Sequence, residues 1–273
     1  MFSRKSRKGQ RKIDLSVIVP VYKQEKTIGV DLRQINRALS QTRFAYEIIA
    51  VVDGKKIDRS FEEAKKVRLS CLRVIGYPDN RGKGYAVRYG MARARGKRVA
   101  FIDAGMDIDP NGISMILEHM EWYGADIIVG SKRHPASQVD YPLLRRFYSF
   151  SYHFLVRLLF GLRLKDTQTG LKVFRREVLE KVLPRLLVKR FAFDVELLAV
   201  ARYLGFKRIY EAPVKLNKKR FQFSSTIKFR DGFWALWDTL AIFYRLKILR
   251  YYRDGNRRRW RYDKNLKMRI NIG

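Results

Sequence analysis

Short apolar runs alternate with stretches of helical periodicity through the first half of the chain. The runs have the length of buried strands and cover residues 15–22, 46–52, 71–75, 99–102 and 125–130. A helical spacing follows the first run, with apolar side chains at Ile28, Leu32, Ile35 and Leu39. Because strands that alternate with helices pair in parallel, the pattern predicts an α/β fold with a mostly parallel, doubly wound sheet.

Polar side chains follow three of these runs where each strand is predicted to end. They are Tyr22, Asp53 and Asp103. Ligands of open α/β sheets bind beyond the carboxyl ends of the strands, so the functional site is expected at this edge. Carboxylates among small residues suit a hard divalent cation, and we expect Asp103 and Asp107 to bind Mg²⁺ or Mn²⁺. Asp109 is interpreted as a cap of the following helix.

The segment Gly82-Lys83-Gly84 follows the third run and precedes a predicted helix. It does not complete a dinucleotide-binding motif, because Val87 stands where the third glycine would be. The segment instead favours an anion site built from backbone N–H groups at a helix start, with the Lys83 ammonium beside it.

Composition narrows the choice of partners. The 273 residues include 59 Lys and Arg against 26 Asp and Glu, and the net charge of +33 calls for nucleic acid, an anionic bilayer or phosphorylated substrates. Acids grouped at the sheet edge would repel a nucleic-acid backbone, so nucleic acid is not the expected partner. Cys71 is the single cysteine, which excludes an intramolecular disulfide and fits a reducing, cytoplasmic setting.

A series of motifs, in chain order, carries a resemblance to a known family. The motifs are Ile18-Val19-Pro20-Val21-Tyr22, Asp53-Gly54, Gly82-Lys83-Gly84-Tyr85-Ala86, Phe101-Ile102-Asp103-Ala104, Gly130-Ser131-Lys132-Arg133, and the segments 166–174, 193–198 and 211–214. From about residue 16 to residue 225 the chain resembles the family 2 glycosyltransferases of GT-A fold. Within them it is most similar to the polyprenyl-phosphate (dolichyl-phosphate) mannose and glucose synthases.

The resemblance implies an inverting enzyme that moves a hexose from a UDP- or GDP-hexose to a polyprenyl phosphate. The implied donor-binding residues are Pro20, Tyr22, Glu25, Asp53, Lys83 and Asp103. The implied acceptor-binding residues are Arg133, Arg145, Ser149, Gln168 and Asp194. Asp103, Asp107 and Arg133 are the expected catalytic residues. Gly105 stands where the family has its second metal-binding acid, and that role is assigned to Asp107.

Two alternatives remain open at this point. A lipid phosphate is already anionic at pH 7, whereas a saccharide hydroxyl would need a general base, for which Asp194 and Glu196 are the candidates. Asp194 is equally well interpreted as the N-cap of a helix that begins near Phe193. The other alternative is a basic protein that binds nucleic acid.

Three segments are predicted along the chain. Residues 1–12 form a basic arm, residues 13–230 the GT-A domain, and residues 231–273 an amphipathic, polybasic tail. The apolar stretches 154–162 and 233–244 are shorter than the ~20 residues that a spanning helix needs. We therefore expect a peripheral or monotopic protein at the cytoplasmic face of a membrane, with its tail on anionic lipid.

Overall fold

A seven-stranded sheet runs through the protein, whose computed structural model describes residues 13–137, 143–189, 192–217, 229–254 and 259–271. The basic arm expected over residues 1–12 lies outside these ranges. The strands are β1 (Leu15–Val21), β2 (Tyr46–Asp53), β3 (Leu72–Tyr77), β4 (Arg98–Ile102), β5 (Ile127–Ser131), β6 (Leu171–Arg175) and β7 (Ile209–Pro213). The helices are α1 (Ile28–Ser40), α2 (Ser60–Lys66), α3 (Lys83–Met91), α4 (Gly112–Trp122), α5 (Leu143–Phe160), α6 (Arg176–Val182), α7 (Phe193–Tyr203) and α8 (Phe229–Phe243).

The strand order is β3-β2-β1-β4-β6-β5-β7. Strand β6 is antiparallel to both of its neighbours, β4 and β5, and the other pairings in this sheet are parallel. The predicted mostly parallel α/β architecture is therefore confirmed. As a result, the carboxyl ends of β1, β2, β4 and β5 lie at the same edge of the sheet as the start of β6.

Continuous apolar sequence explains the central strands. A strand covered by helices on both faces needs apolar side chains on both, so it does not alternate. Strand β1 follows this rule and is buried along almost its whole length. Pro20 lies within β1. Pairing with β4 stops at Ile18, so the missing proline N–H leaves that ladder intact.

Two hydrophobic cores lie on opposite faces of the sheet. One contains the inner sides of α1 and α4, and the predicted apolar positions of α1 are all fully buried. The other contains α3, α6, α7 and the end of α5. Helices on both faces hold the sheet rigidly, so the side chains at its edge have fixed positions.

The C-terminal part of the chain also contributes to the second core. Helix α8 continues into a π-helical turn, Tyr244–Ile248, and the antiparallel strands β8 (Trp260–Asp263) and β9 (Met268–Asn271) follow. Among the described residues from α8 onward, the buried apolar side chains of this core are Ile242, Leu246, Tyr251, Tyr252, Leu266 and Met268. The core therefore extends past residue 230, where the sequence suggested that a separate tail begins.

Candidate active site

Polar side chains converge at the edge where β1, β2 and β4 end. Tyr22 follows β1 with 44% of its surface exposed, Asp53 is the last residue of β2, and Asp103 follows β4 directly. Lys83, the first residue of α3, donates from Nζ to Asp103 Oδ2 at 2.7 Å. Lys83 and Asp103 thus form an ion pair at the edge of the sheet where the sequence predicted the functional site.

The Lys83 ammonium lies in a negative field. Desolvation alone would lower its pKa, but the carboxylates of Asp103, Asp194 and Asp107 raise the pKa above its ordinary value. The group is therefore cationic at neutral pH. A fixed cation beside the start of a helix is suited to the phosphates of a nucleotide.

Asp103 keeps one carboxylate oxygen for a further partner. Its Oδ2 accepts from Lys83, whereas its buried Oδ1 has no hydrogen-bond partner within the described structure. Among the described residues, no three His, Cys, Asp or Glu side chains are grouped to hold a metal by themselves. Mg²⁺ commonly binds one or two carboxylates together with substrate phosphates, and carboxylates suit Mn²⁺ as well. The unpartnered oxygen of Asp103 fits a cation of this kind.

The two acids after Asp103 differ in their surroundings. Asp107 is exposed, and its carbonyl accepts the N–H of Asn217 at 3.0 Å. Asp109 Oδ1 accepts the N–H of Asn111 at 3.0 Å and its Nδ2 at 2.8 Å. Asp109 thus closes the turn before α4, but the N-cap of that helix is Asn111, so the interpretation of Asp109 as the cap was wrong. The Asp107 carboxylate is one of those that raise the pKa of Lys83.

Asp53 holds a turn together. Its two oxygens accept the N–H groups of Arg81 at 2.7 Å and Gly82 at 2.9 Å, and Asp53 itself is almost fully buried. The expected anion site of backbone N–H groups is therefore wrong for these two donors, because a carboxylate from β2 already occupies them. The same bonds fix the position at which α3 begins, one residue later at Lys83.

The loop at residues 166–170 is tied to three elements. Asp166 is buried and accepts the N–H of Lys132 at 3.2 Å, beyond the end of β5. The N–H of Asp166 donates to Glu211 Oε1 on β7 at 2.9 Å. The Nε2 atom of His153, on α5, lies 3.8 Å from Asp166 Oδ1. Burial would raise the pKa of Asp166, but His153 and Lys132 hold it well below its usual range. The loop is therefore well anchored.

Gly170 ends that loop against Asp103. Its carbonyl accepts the Asp103 N–H at 2.9 Å, and a Cβ at this position would lie 2.5 Å from Asp103 Cγ. Only glycine leaves room for the carboxylate here. The loop and the end of β4 therefore form one unit.

Asp194 is part of a buried ion pair and not a helix cap. The N-cap of α7 is Ala192. Asp194 Oδ1 accepts from Lys172 Nζ at 2.7 Å, and the same ammonium donates to the Thr169 carbonyl at 2.6 Å. Burial lowers the pKa of Lys172, and the Asp194 carboxylate partly restores it. The pair joins β6, α7 and the 166–170 loop beside the site.

Glu196 is excluded as a general base by its environment. It is fully buried, and its carboxylate accepts the N–H groups of Leu187 at 3.0 Å and Val188 at 2.9 Å and the Tyr252 hydroxyl at 2.7 Å. A carboxylate with three donors in the core cannot reach a substrate. The interpretation of Glu196 as a possible base was therefore wrong.

The other expected site residues are spread more widely. Pro20 lies near the end of β1, and Glu25 turns toward α2, where it accepts the Arg59 N–H at 3.2 Å. Arg133 is the second residue after β5, and Gln168 is exposed in the 166–170 loop. The side chains of Arg145 and Ser149, in the first half of α5, lie outside the described part of the structure.

Comparison with known families identifies this arrangement. The profile described as "Glycosyl transferase family 2" matches residues 16–183, which include the strand ends, Lys83, Asp103 and the 166–170 loop. The chain belongs to glycosyl transferase family 2. The likeness seen in the motifs is thereby confirmed.

Relatives of this family 2 chain include two dolichyl-phosphate beta-glucosyltransferases. That of Drosophila melanogaster is 35% identical over 207 residues, which cover 70% of this chain and 64% of the fly protein. That of Homo sapiens is 31% identical over 250 residues, which cover 86% of this chain and 76% of the human protein. The chain thus spans less than two thirds of the fly relative.

Solved structures of lower identity share the fold, GT-A. Mannosyl-3-phosphoglycerate synthase from Rubrobacter xylanophilus has a TM-score of 0.67 at 15% identity, over 95% of this chain and 86% of that one. Glucosyl-3-phosphoglycerate synthase from Mycobacterium tuberculosis, in complex with Mn²⁺, UDP-glucose and phosphoglyceric acid, has a TM-score of 0.63 at 17% identity with the same coverage. A solved structure of this fold therefore contains a bound divalent cation.

The family 2 chain also carries an exposed apolar face. On α8 and the turn after it, the side chains of Trp237, Leu240, Tyr244 and Ile248 are exposed at helical spacing. The opposite face, with Thr239 and Ile242, is buried. Tyr152 of α5 makes a 2.9 Å hydrogen bond to Thr239. Within the described ranges, no helix has the length and hydropathy to span a bilayer.

Lys172 and Gly170 lie within the motif segment 166–174, but the sequence analysis predicted no role for either of them at the site. The signal for Gly170 was present, since a glycine directly before an apolar run marks close approach of backbone. The local sequence does not indicate a role for Lys172, because its partner, Asp194, lies 22 positions further along the chain.

Proposed function

We propose that this family 2 chain transfers glucose from UDP-glucose to a polyprenyl phosphate at a membrane surface. The observation that carries the proposal is the Asp103 carboxylate, which binds Lys83 with one oxygen and keeps the other, buried oxygen unpartnered. The choice of substrates is supported by the relatives, which are named dolichyl-phosphate beta-glucosyltransferases.

The donor is expected to lie across the ends of β1, β2 and β4. Lys83 neutralises its diphosphate, and Tyr22 lies at the same edge with an exposed ring. Asp103 and Asp107 would hold Mg²⁺ or Mn²⁺. A divalent cation supplies a Lewis acid that stabilises the negative charge of a departing diphosphate. The Lys83 ammonium is a fixed positive charge that also stabilises the departing diphosphate.

The acceptor is expected on the β5 side of the site. Arg133 follows β5, and we assign the acceptor phosphate to Arg133, Arg145 and Ser149, with Gln168 beside them. A phosphate oxygen is already anionic at pH 7, so the protein has only to orient it and exclude water. The buried pairing of Asp194 with Lys172 favours this acceptor over a saccharide hydroxyl, because the carboxylate is not available as a base.

The membrane surface is proposed to contact the exposed face of α8. Its aromatic side chains and the exposed Lys247 and Arg250 are typical of a helix that lies among lipid headgroups. Anionic lipids of the cytoplasmic leaflet attract a basic surface, so this leaflet is the proposed location.

The test is a transfer assay with the full-length protein and vesicles that contain dolichyl phosphate or undecaprenyl phosphate. Radiolabelled UDP-glucose and GDP-mannose are supplied separately, with Mn²⁺ or Mg²⁺ and with excess chelator. We expect organic-extractable label from UDP-glucose only, and none with chelator. Label that reaches a soluble saccharide, or that appears only as free glucose, would contradict the proposed acceptor.

A further inference from the structure

The chain just before α7 packs against the start of α3. The N–H of Tyr85 donates to the Lys189 carbonyl at 3.3 Å. A Cβ on Gly84 would lie 2.5 Å from Phe193 Cβ and 3.0 Å from the same oxygen, so the start of α3 is closely packed against this part of the chain. Because α3 begins with Lys83, a displacement of residues 186–189 displaces the residue that binds Asp103.

Glu196 fixes these residues from the other side. It lies in the first turn of α7 and is fully buried. Its carboxylate accepts the N–H of Leu187 at 3.0 Å and that of Val188 at 2.9 Å. Two backbone bonds to one charged group hold a short segment firmly, since hydrogen bonds to ionised groups are stronger than neutral ones.

The third donor to Glu196 comes from the far end of the chain. Tyr252, whose side chain is fully buried, donates from its hydroxyl to Glu196 Oε1 at 2.7 Å. Arg185 Nε donates to the Tyr252 carbonyl at 3.1 Å, so backbone and side chain of Tyr252 are both engaged. The stretch that follows α8 is thereby connected to residues 186–189.

The charge on Glu196 depends on its donors. Burial raises the pKa of this carboxyl, whereas the backbone donors, the Tyr252 hydroxyl and Arg245 of the π-helical turn lower it. Arg88 faces it from α3. Removal of the hydroxyl would raise the pKa further and leave fewer donors for the charged form.

We propose that Glu196 and Tyr252 are positioning residues for the active site. They hold residues 186–189 against the start of α3 and so keep the Lys83 ammonium on Asp103. This role rests on the proposed function, in which Lys83 faces the donor diphosphate. It makes the segment after α8 necessary for catalysis through the interior of the protein, independently of any contact with lipid.

The test compares Tyr252→Phe with Tyr251→Phe in the full-length protein. Tyr251 is also buried, but its hydroxyl donates to the Asn271 carbonyl at 3.3 Å. We expect Tyr252→Phe to lower kcat about tenfold, the effect of one lost bond to a charged group, with little change in KM for the acceptor. The acid limb of its pH profile should move to higher pH. Tyr251→Phe should keep the wild-type kcat and profile.

Amide hydrogen exchange supplies a readout that needs no activity. Exchange over residues 186–189 should be faster in Tyr252→Phe than in Tyr251→Phe when both variants are fully folded, well below their urea midpoints. Equal exchange and equal kcat in the two variants would overturn the positioning role. If the wild type makes no lipid-linked product, the proposed function fails, and the exchange comparison still decides whether the two residues hold the segment.

Discussion

At the residue scale, Gly170 leaves no space for a side chain beside Asp103. In Gly170→Ala the new Cβ would lie 2.5 Å from Asp103 Cγ, so the carboxylate has to rotate away from Lys83. We expect kcat to fall about 100-fold, because a displacement of about 1 Å in a catalytic group has that effect. Organic-extractable product measures it.

Gly112→Ala is the matched control for this change. A Cβ at Gly112 meets a single neighbouring atom, Leu171 Cδ2 at 4.0 Å, and alanine favours a helix more than glycine does. This variant should keep full activity and be slightly more stable. Wild-type turnover in Gly170→Ala would show that the Asp103 carboxylate does not need its observed position.

The assignment of Asp107 as a metal ligand can be tested by making the same substitution at Asp107 and at the nearby Asp109. Asp107 is exposed and raises the pKa of Lys83, whereas Asp109 accepts both Asn111 donors. Asp107→Asn should raise the Mn²⁺ concentration for half-maximal activity at least roughly tenfold, since it removes one of two carboxylate ligands. Asp109→Asn should leave it unchanged. Calorimetric titration with Mn²⁺ and UDP checks the result, and the reverse ranking would reassign the second ligand to Asp109.

At the scale of elements, α8 presents one face to the core and another to solvent. Trp237 is 59% exposed on the outer face, and Trp122, at the end of α4, is 77% exposed elsewhere. In the wild type, vesicle binding would remove part of the Trp237 ring from water. Trp237→Ala loses this contribution, so binding to anionic vesicles should weaken on the order of tenfold. Trp122→Ala should bind as the wild type does. Equal effects in a vesicle sedimentation assay would mean that α8 is not the contact surface.

The sequence predicted elements best where local pattern decides them. Strands β1 to β5 are apolar runs, and α1 follows a helical period, so their positions were correct within a few residues. Strand β6 was not singled out, because Lys172 interrupts its apolar pattern and is buried only by virtue of a distant partner, Asp194. Glu196 shows the same limit, since its donors come from two other segments, at Leu187 and Val188 and at Tyr252.

At the scale of the whole molecule, the C-terminal residues belong to the folded core. Removal of residues 231–273 deletes buried side chains that include Ile242, Leu246 and Tyr252. Each large core side chain is worth about 2–5 kcal/mol, and a typical domain has only about 5–15 kcal/mol in total. We therefore expect the truncated chain to lose its cooperative urea transition. A truncated chain that unfolds like the wild type would show that the tail is an independent appendage.

The reversed strand β6 lies between two groups of strands in the sheet. The strands β3, β2, β1 and β4 lie on one side of it, and Asp53, Lys83 and Asp103 lie at their edge. Strands β5 and β7 lie on the other side, with Arg133 after β5 and with Glu211, which anchors the 166–170 loop, on β7. Under the proposed function, the residues that recognise the donor all come before residue 110, and those that recognise the acceptor all come after residue 130. A chimera joined within α4 would then exchange one substrate preference and retain the other, which gives this fold a direct route to new pairs of sugar and lipid.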